Sequence, residues 1–136
     1  MRIMAIDFGD ARVGLAVSDE TQTLTGSAWT LSEHSMARAA DRIVAEARAQ
    51  NVCLFVLGYP KNMDGSRGPR AEKSEQLKAL LEARADIPVT LWDERRTTIA
   101  AHDILHANGR KMKSHRQNVD AVAASLILEG YLGTLK

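Results

Sequence analysis

One cysteine, three prolines and six aromatic residues are all that this 136-residue chain contains of those types. A single cysteine, Cys53, excludes a disulfide within the chain. Its place in the apolar run 52–57 (VCLFVL) makes it a small buried hydrophobe, a usage that fits a reducing compartment. Aromatics at 4% exclude extensive base stacking, so any nucleic acid would be recognised by shape and phosphates. No charge of either sign is in excess. Lys and Arg total 18 against 17 Asp and Glu, a formal net charge of +1, so a global basic field is absent and any basic surface is local. No apolar run approaches the ~20 residues that cross a bilayer, and the N-terminus lacks a signal peptide's charged-then-apolar layout. A cytoplasmic protein without a membrane partner is expected. What remains, 45% hydrophobic and 26% charged, is ordinary for a globular chain. The length suits a single domain over 1–136, with a core that needs neither disulfide nor structural metal.

The chain opens on MRIMAIDFGDARVGLAVS, an apolar strand closed by Asp7, a turn, and a second strand over 13–18. Gly9 and Gly14 flank Asp10-Ala11-Arg12 and read as the glycines of that turn. Residues 24–31 (LTGSAWTL) form a third strand, giving an antiparallel meander. From Met36 the period changes. Met36, Ala40, Ile43, Val44 and Ala47 recur at helical spacing, with Ser35 as N-cap and Asn51 as the stop. The run 52–57 reads as a strand covered on both faces. A long irregular segment, 58–68, then precedes a helix that holds Pro69 in its first turn, runs to about Arg84 and turns Leu77, Leu80 and Leu81 inward. Residues 87–92 (IPVTLW) give a strand with Pro88 at its start. A helix burying Ala101, Ile104 and Leu105 follows, ending near Asn108-Gly109. Residues 110–118 are basic without an apolar period, and 119–132 (VDAVAASLILEGYL) form a buried helix. The order predicts an α/β fold: a mixed five-stranded sheet, three antiparallel strands then parallel ones, with helices on both faces.

In such sheets, sites form beyond the carboxyl ends of the strands. Asp7 ends the first strand, Glu94 follows the strand 87–92, and Asp120 falls in the first turn of the last helix. Each acid has an ordinary alternative. Asp7 can simply start a turn, Glu94 can pair with Arg95 or Arg96, and Asp120 can complement the helix dipole for about 0.3–1 kcal/mol. Those alternatives leave the convergence of three separate elements on one cleft unexplained. Two carboxylates ~5 Å apart at an effective dielectric of ~20 repel by roughly 3 kcal/mol. A divalent cation relieves that repulsion. All-oxygen ligation without a His or Cys cluster favours Mg²⁺ or Mn²⁺ over Zn²⁺, and such acid sets suit two-metal phosphodiester hydrolysis. The scattered histidines His34, His102, His106 and His115 make no zinc motif. Lys61, Arg67 and Arg70 in or beside the long loop, with the basic segment Arg110 to Arg116 (Lys111 and Lys113 within it), can grip a phosphate backbone or equally be solvated loop charges.

Four stretches together resemble the YqgF (RuvX) family of pre-16S rRNA nucleases related to Holliday junction resolvases: IDFGDARVGLAVSD at 6–19, LGYPKNMDGS at 57–66, DERRTT at 93–98 and VDAVAASLIL at 119–128. They stand in the family's order and spacing and span essentially the whole chain. The resemblance implies an RNase H-like fold, with Asp7, Glu94 and Asp120 as metal-binding catalytic acids. Gly9, Arg12, Lys61, Asn62, Arg67, Arg95, Thr98, Lys111 and Lys113 would then meet substrate. It implies Mg²⁺- or Mn²⁺-dependent hydrolysis in 5′-end maturation of small-subunit rRNA, with the ribosomal precursor as partner and a monomer or weak homodimer as the acting form. A four-way DNA junction is the alternative substrate, and a catalytically idle ribosome or transcription partner is a third reading. Two positions depart from the family pattern: Tyr59 where an aliphatic residue is common, and Arg96 where leucine is frequent.

Overall fold

The computed structural model describes residues 1–9, 11–60, 68–93 and 112–135, the side chains of 112–119 excepted. The chain begins with β1 (Arg2–Phe8), β2 (Arg12–Ser18) and β3 (Thr25–Ser32), then α1 (Met36–Ala49), β4 (Val52–Tyr59), α2 (Pro69–Arg84) and β5 (Val89–Asp93). The final helix, α3, spans Met112–Gly133. The strands lie in the order β3-β2-β1-β4-β5. β1 pairs antiparallel with β2 and parallel with β4, and β5 continues parallel on β4. This is the mixed α/β sheet expected, in its RNase H-like order.

Local chemistry explains the boundaries. Ser35 Oγ accepts the Arg38 N–H at 3.3 Å and caps α1. The chain leaves that helix through Asn51, whose φ of 58° lies in the left-handed region that Asn tolerates better than most residues. Pro69 occupies the first turn of α2, where its missing N–H costs nothing. Pro88 stands just outside β5, and its carbonyl accepts the Phe55 N–H at 3.0 Å. At the end of β2 the ladder with β3 slips between Val17 and Ser18, while on the other edge the Ser18 side chain extends the contact with β1. Ile3 N–H donates to Ser18 Oγ, and the Ser18 hydroxyl donates to the Asp19 carbonyl, both at 2.9 Å.

The sheet separates two cores of unlike character. On one face, large side chains (Met4, Ile6, Leu15, Phe55 and Leu57) meet Ile43 of α1 with Leu77 and Leu81 of α2. Burying each such side chain contributes about 1.5–3 kcal/mol. On the other face the central strands offer small residues, Ala5 and Ala16, beneath Ala124, Ile127 and Leu128 of α3. Small residues let α3 lie close on the sheet, and Trp92 packs edge-on to Tyr131 (centroids 6.2 Å apart, planes at 77°) to fix its far end.

Two sequence readings need correction here. The basic stretch before Val119 is helical from Met112 onward. Its lack of apolar period concealed a polar extension that Met, Lys, Arg and Gln favour by propensity, with no Gly or Pro between Gly109 and Gly130 to stop it. Cys53 is only half-buried, with Gln22 Nε2 3.6 Å from its sulfur. The expected helix over roughly 99–109 lies outside the described residues. Among the described residues, no helix is long and apolar enough to cross a membrane.

Candidate active site

The hairpin between β1 and β2 is closed by the Gly9 N–H, which donates to the Arg12 carbonyl at 2.9 Å. A Cβ on Gly9 would stand 2.8 Å from that oxygen, so the turn itself requires glycine there, whatever substrate later approaches. Just before it, Asp7 pairs with Gly14 across the antiparallel ladder. Ile3 and Ala5 face α3, and the two-residue period of a strand carries Asp7 to that same face at the carboxyl rim of the sheet.

Gly14 is not a turn residue, as its place near the hairpin suggested. It lies inside β2, and the backbone of α3 rests on it. A Cβ at this position would overlap the carbonyl carbon and oxygen of Asp120 and stand 3.1 Å from Ala121 N. Neighbouring strands lie ~4.8 Å apart. The Asp120 peptide therefore sits over the immediate strand neighbour of Asp7. A helix packed backbone-to-backbone on a glycine thus carries residue 120 over the strand position beside Asp7.

Asp120 is not in the first helical turn. With α3 starting at Met112, it falls in the third turn, at ~3.6 residues per turn. Helix-dipole effects fade within the first turn, so complementing the dipole no longer accounts for this acid. Its carboxylate instead meets Arg12: Nε lies 3.4 Å from Oδ2, with side-chain exposures of 52% for Arg12 and 22% for Asp120. Arg12 stands two residues before Gly14 on β2, hence on the α3 face. An ion pair this exposed contributes at most about 1 kcal/mol, so its interest is chemical rather than structural.

Glu94 directly follows Asp93, the last residue of β5, and lies outside the described residues. So do Lys61, Asn62, Arg67, Arg95, Thr98 and Lys111, together with the side chain of Lys113. Arg70 is described and exposed on the first turn of α2. Tyr59 is buried, and its hydroxyl stands 3.1 Å from Glu75 Oε2 of α2, which gives this departure from the family pattern a packing role. Among the described residues, no group of three His, Cys, Asp or Glu side chains forms a metal cluster. The donors on the rim, Asp7 and Asp120, are hard oxygen ligands, the donor type that suits a divalent ion such as Mg²⁺ or Mn²⁺. Cys53 lies near the opposite end of the sheet, at the start of β4.

Comparison with known proteins settles the kinship. A family model described as RuvX, Holliday junction resolvase, matches residues 1–134. The chain belongs to the RuvX family. A relative from Ruminiclostridium cellulolyticum, named "putative pre-16S rRNA nuclease", is 38% identical over 133 residues, covering 97% of this chain and 94% of the relative. One from Bacillus subtilis with the same name is 36% identical, covering 99% of each. Among solved structures, Thermus thermophilus RuvC bound to a Holliday junction substrate aligns with a TM-score of 0.62 at 13% identity, over 98% of this chain and 97% of that one. The fowlpox virus Holliday junction resolvase aligns at 0.64 and 14% over the full length of both. At such low identity these two structures speak for the fold, which the RuvX chain shares with them.

The Gly14 seat and the Arg12–Asp120 pair are features that sequence reasoning missed. The first had a signal. A glycine flanked by Val13 and Leu15 in a strand marks close approach of another backbone. The second had none, because nothing in the spacing of residues 12 and 120 announces a contact.

Proposed function

We propose that this RuvX chain is a divalent-metal-dependent endonuclease that hydrolyses phosphodiester bonds, acting in the cytoplasm on the 5′ end of pre-16S rRNA. The observation that carries the reading is the seating of Asp120 on Gly14, the ladder partner of Asp7, which brings two hard carboxylates to one rim. In a chain matched to the family over residues 1–134, that is the beginning of a metal site. Asp7, Glu94 and Asp120 would hold Mg²⁺ or Mn²⁺, and the metal would supply activated water and stabilise the leaving oxygen. Gly9, Arg12, Lys61, Asn62, Arg67, Arg95, Thr98, Lys111 and Lys113 form the substrate-facing set, contacting phosphate rather than base edges. The relatives' shared name supports ribosomal precursor RNA as substrate, and the chain acts as one domain, monomeric or weakly dimeric.

The test is Asp7→Asn with a 5′-extended 16S precursor and Mn²⁺. Cleavage should fall by at least ~100-fold, beyond the 10–100-fold typical of groups outside the metal's direct ligands. The melting curve should be unchanged. Undiminished cleavage by the variant defeats the proposal. A second reading, incision of four-way DNA junctions, is favoured by the family description and by the fold shared with junction-bound RuvC. Parallel assays with precursor RNA and junction DNA decide between them: faster turnover of the junction at equal concentration makes DNA the substrate.

A further inference from the structure

We infer that the outer edge of β3 is a docking strip for an extended segment of a partner protein, and that a pocket beside its Thr25 end selects a basic side chain from that segment. The pocket lies at the end of the sheet opposite Asp7, so the inference does not depend on the metal site proposed above.

The backbone of the strip supports it first. Among the described residues β3 is the last strand on its side of the sheet, with β2 as its one neighbour. The Glu33 N–H donates to the Ala11 carbonyl at 3.0 Å, in line with the Arg12–Ser32 and Val13–Leu31 register. Antiparallel ladders alternate hydrogen-bonded pairs with pairs whose backbone groups point away from each other. Leu31, Trp29 and Ser27 therefore turn their N–H and C=O groups to β2, while Thr30 and Ala28 turn theirs outward. Ser32 shows the same phase, since its carbonyl accepts from Arg42 Nη1 of α1 at 2.8 Å. Gly26, Ser27 and Ala28 are exposed, and the strand holds no charged residue and no proline, the usual guards of a sheet edge. Its register slip is confined to the Thr25 end.

The pocket supplies the second argument. Trp29 and Leu31 pack on the core beneath α1 and α2, so Ala28 and Thr30 face the α3 side. Where β3 begins, Thr23, Leu24, Thr25, Glu129, Leu132 and Gly133 line a pocket of about 180 Å³ between the strand and the end of α3. Leu24, 67% exposed, and Leu132 give it apolar walls. Glu129 gives it negative charge, and the last turn of α3, which holds no basic residue, adds the negative end of the helix dipole. A strand added ~4.8 Å outside β3 sends alternate side chains to the α3 side. One of them, at the Thr25 end, meets the pocket. A lysine or arginine suits it, with the aliphatic stem along the leucines and the charged head at Glu129. Backbone hydrogen bonds then supply affinity, and the pocket supplies selectivity. A second copy presenting its own β3 fits less well, because TGSAWTLS contains no basic residue.

The experiment is NMR titration of the full chain with the blocked peptide Thr-Val-Thr-Lys-Thr-Val-Thr, beside a version with glutamate in place of lysine. Binding should shift the Ala28 and Thr30 amide signals and slow their hydrogen exchange. The lysine peptide should bind roughly 3- to 10-fold more tightly than the glutamate peptide, a gap that salt narrows. Glu129→Lys, at an exposed position, should reverse that order. Ala28→Pro should abolish binding of both peptides, since the N–H it removes serves no ladder bond within the chain. Unmoved Ala28 and Thr30 signals at millimolar peptide, or equal affinity for the two peptides, overturn the inference. Protection of the same amides that rises with protein concentration in the absence of peptide makes a second copy the occupant, and overturns it too.

Discussion

Gly14→Ala isolates the link between packing and chemistry in this molecule. The added methyl would overlap the Asp120 carbonyl group and crowd Ala121 N at 3.1 Å, so backbone meets backbone and no side chain can rotate aside. β2 is held by ladders on both edges, with β1 and β3, and has little freedom to yield. Helix α3 must lift instead. Its C-terminal half is fixed by the edge-on contact of Tyr131 with Trp92, and by Gly130, where a Cβ would stand 2.8 Å from Trp92 Cζ2. The helix therefore pivots about that end. Restoring ordinary separations of about 3.5 Å takes a lift of roughly 1.5 Å at Asp120. Over the ten residues to Gly130, about 15 Å of helix, that is a tilt of roughly 6°.

Overpacking of this kind costs about 1–3 kcal/mol. For a chain of this length, about 3–5 °C of melting temperature accompanies each kcal/mol, so Tm should fall by about 3–15 °C. Hydrolysis should fall further than stability explains, because a 1 Å misplacement of a catalytic group costs on the order of 100-fold. The assay is differential scanning calorimetry beside single-turnover cleavage at a temperature where the variant is fully folded. Gly133→Ala serves as the control, since a Cβ there meets nothing within 4 Å. A Gly14→Ala protein with parental Tm refutes the steric argument. One with lowered Tm but parental cleavage per folded molecule refutes the claim that this seat positions Asp120.

Two further perturbations test the scaffold beneath the site. Ser18→Ala removes the acceptor of the buried Ile3 N–H, and leaving such a donor unpaired costs about 1–3 kcal/mol; the urea midpoint should drop with unchanged slope, and a loss below about 0.5 kcal/mol would show that water or a neighbour replaces the hydroxyl. Asp19 accepts the Thr23 N–H at 3.0 Å, the Thr21 hydroxyl at 2.9 Å and the Leu24 N–H at 3.4 Å, and these bonds, the Thr23 N–H foremost, lower its pKa from 3.8 to about 2. A carboxylate whose folded pKa is depressed adds stability above its unfolded pKa and loses it as pH falls through the folded value. Between pH 4 and pH 2 the parent's Tm should therefore fall more steeply than that of Asp19→Asn, and parallel curves would contradict this account of the turn.

The sheet was legible in the sequence because its signals are local. Apolar runs of strand length, the capped start of α1 at Ser35 and the proline at the head of α2 each report on a few neighbouring residues. Two things were not legible for the same reason. The residues of 112–118 carry no apolar face, so periodicity does not distinguish a polar helix from a loop, and the start read for α3 lies seven residues late. Gly14 looked like part of the turn because glycines near a hairpin usually serve it. Its real constraint comes from residue 120, more than a hundred positions away, and only the folded chain joins the two. Asp7 and Asp120 are candidates by position at strand and helix ends and by family resemblance, and neither signal announces the backbone contact of residue 120 with Gly14.

That contact changes the status of Asp120. An acid in a first helical turn has a sufficient electrostatic reason to be there, since the dipole alone stabilises it. An acid in the third turn has no such reason, and this one is seated on the strand neighbour of a second acid. The small residues beneath α3 make that proximity unavoidable. Ala5, Gly14 and Ala16 allow the helix to descend onto the sheet, and a larger residue at Gly14 would hold the two carboxylates apart. The close packing that stabilises this face of the sheet thus also sets where Asp120 stands, over the strand neighbour of Asp7. There its carboxylate meets the Arg12 guanidinium in an exposed pair that water and salt weaken. On the proposal that this rim holds a divalent metal, the packing that seats α3 on Gly14 is what would bring two of its ligands to one place.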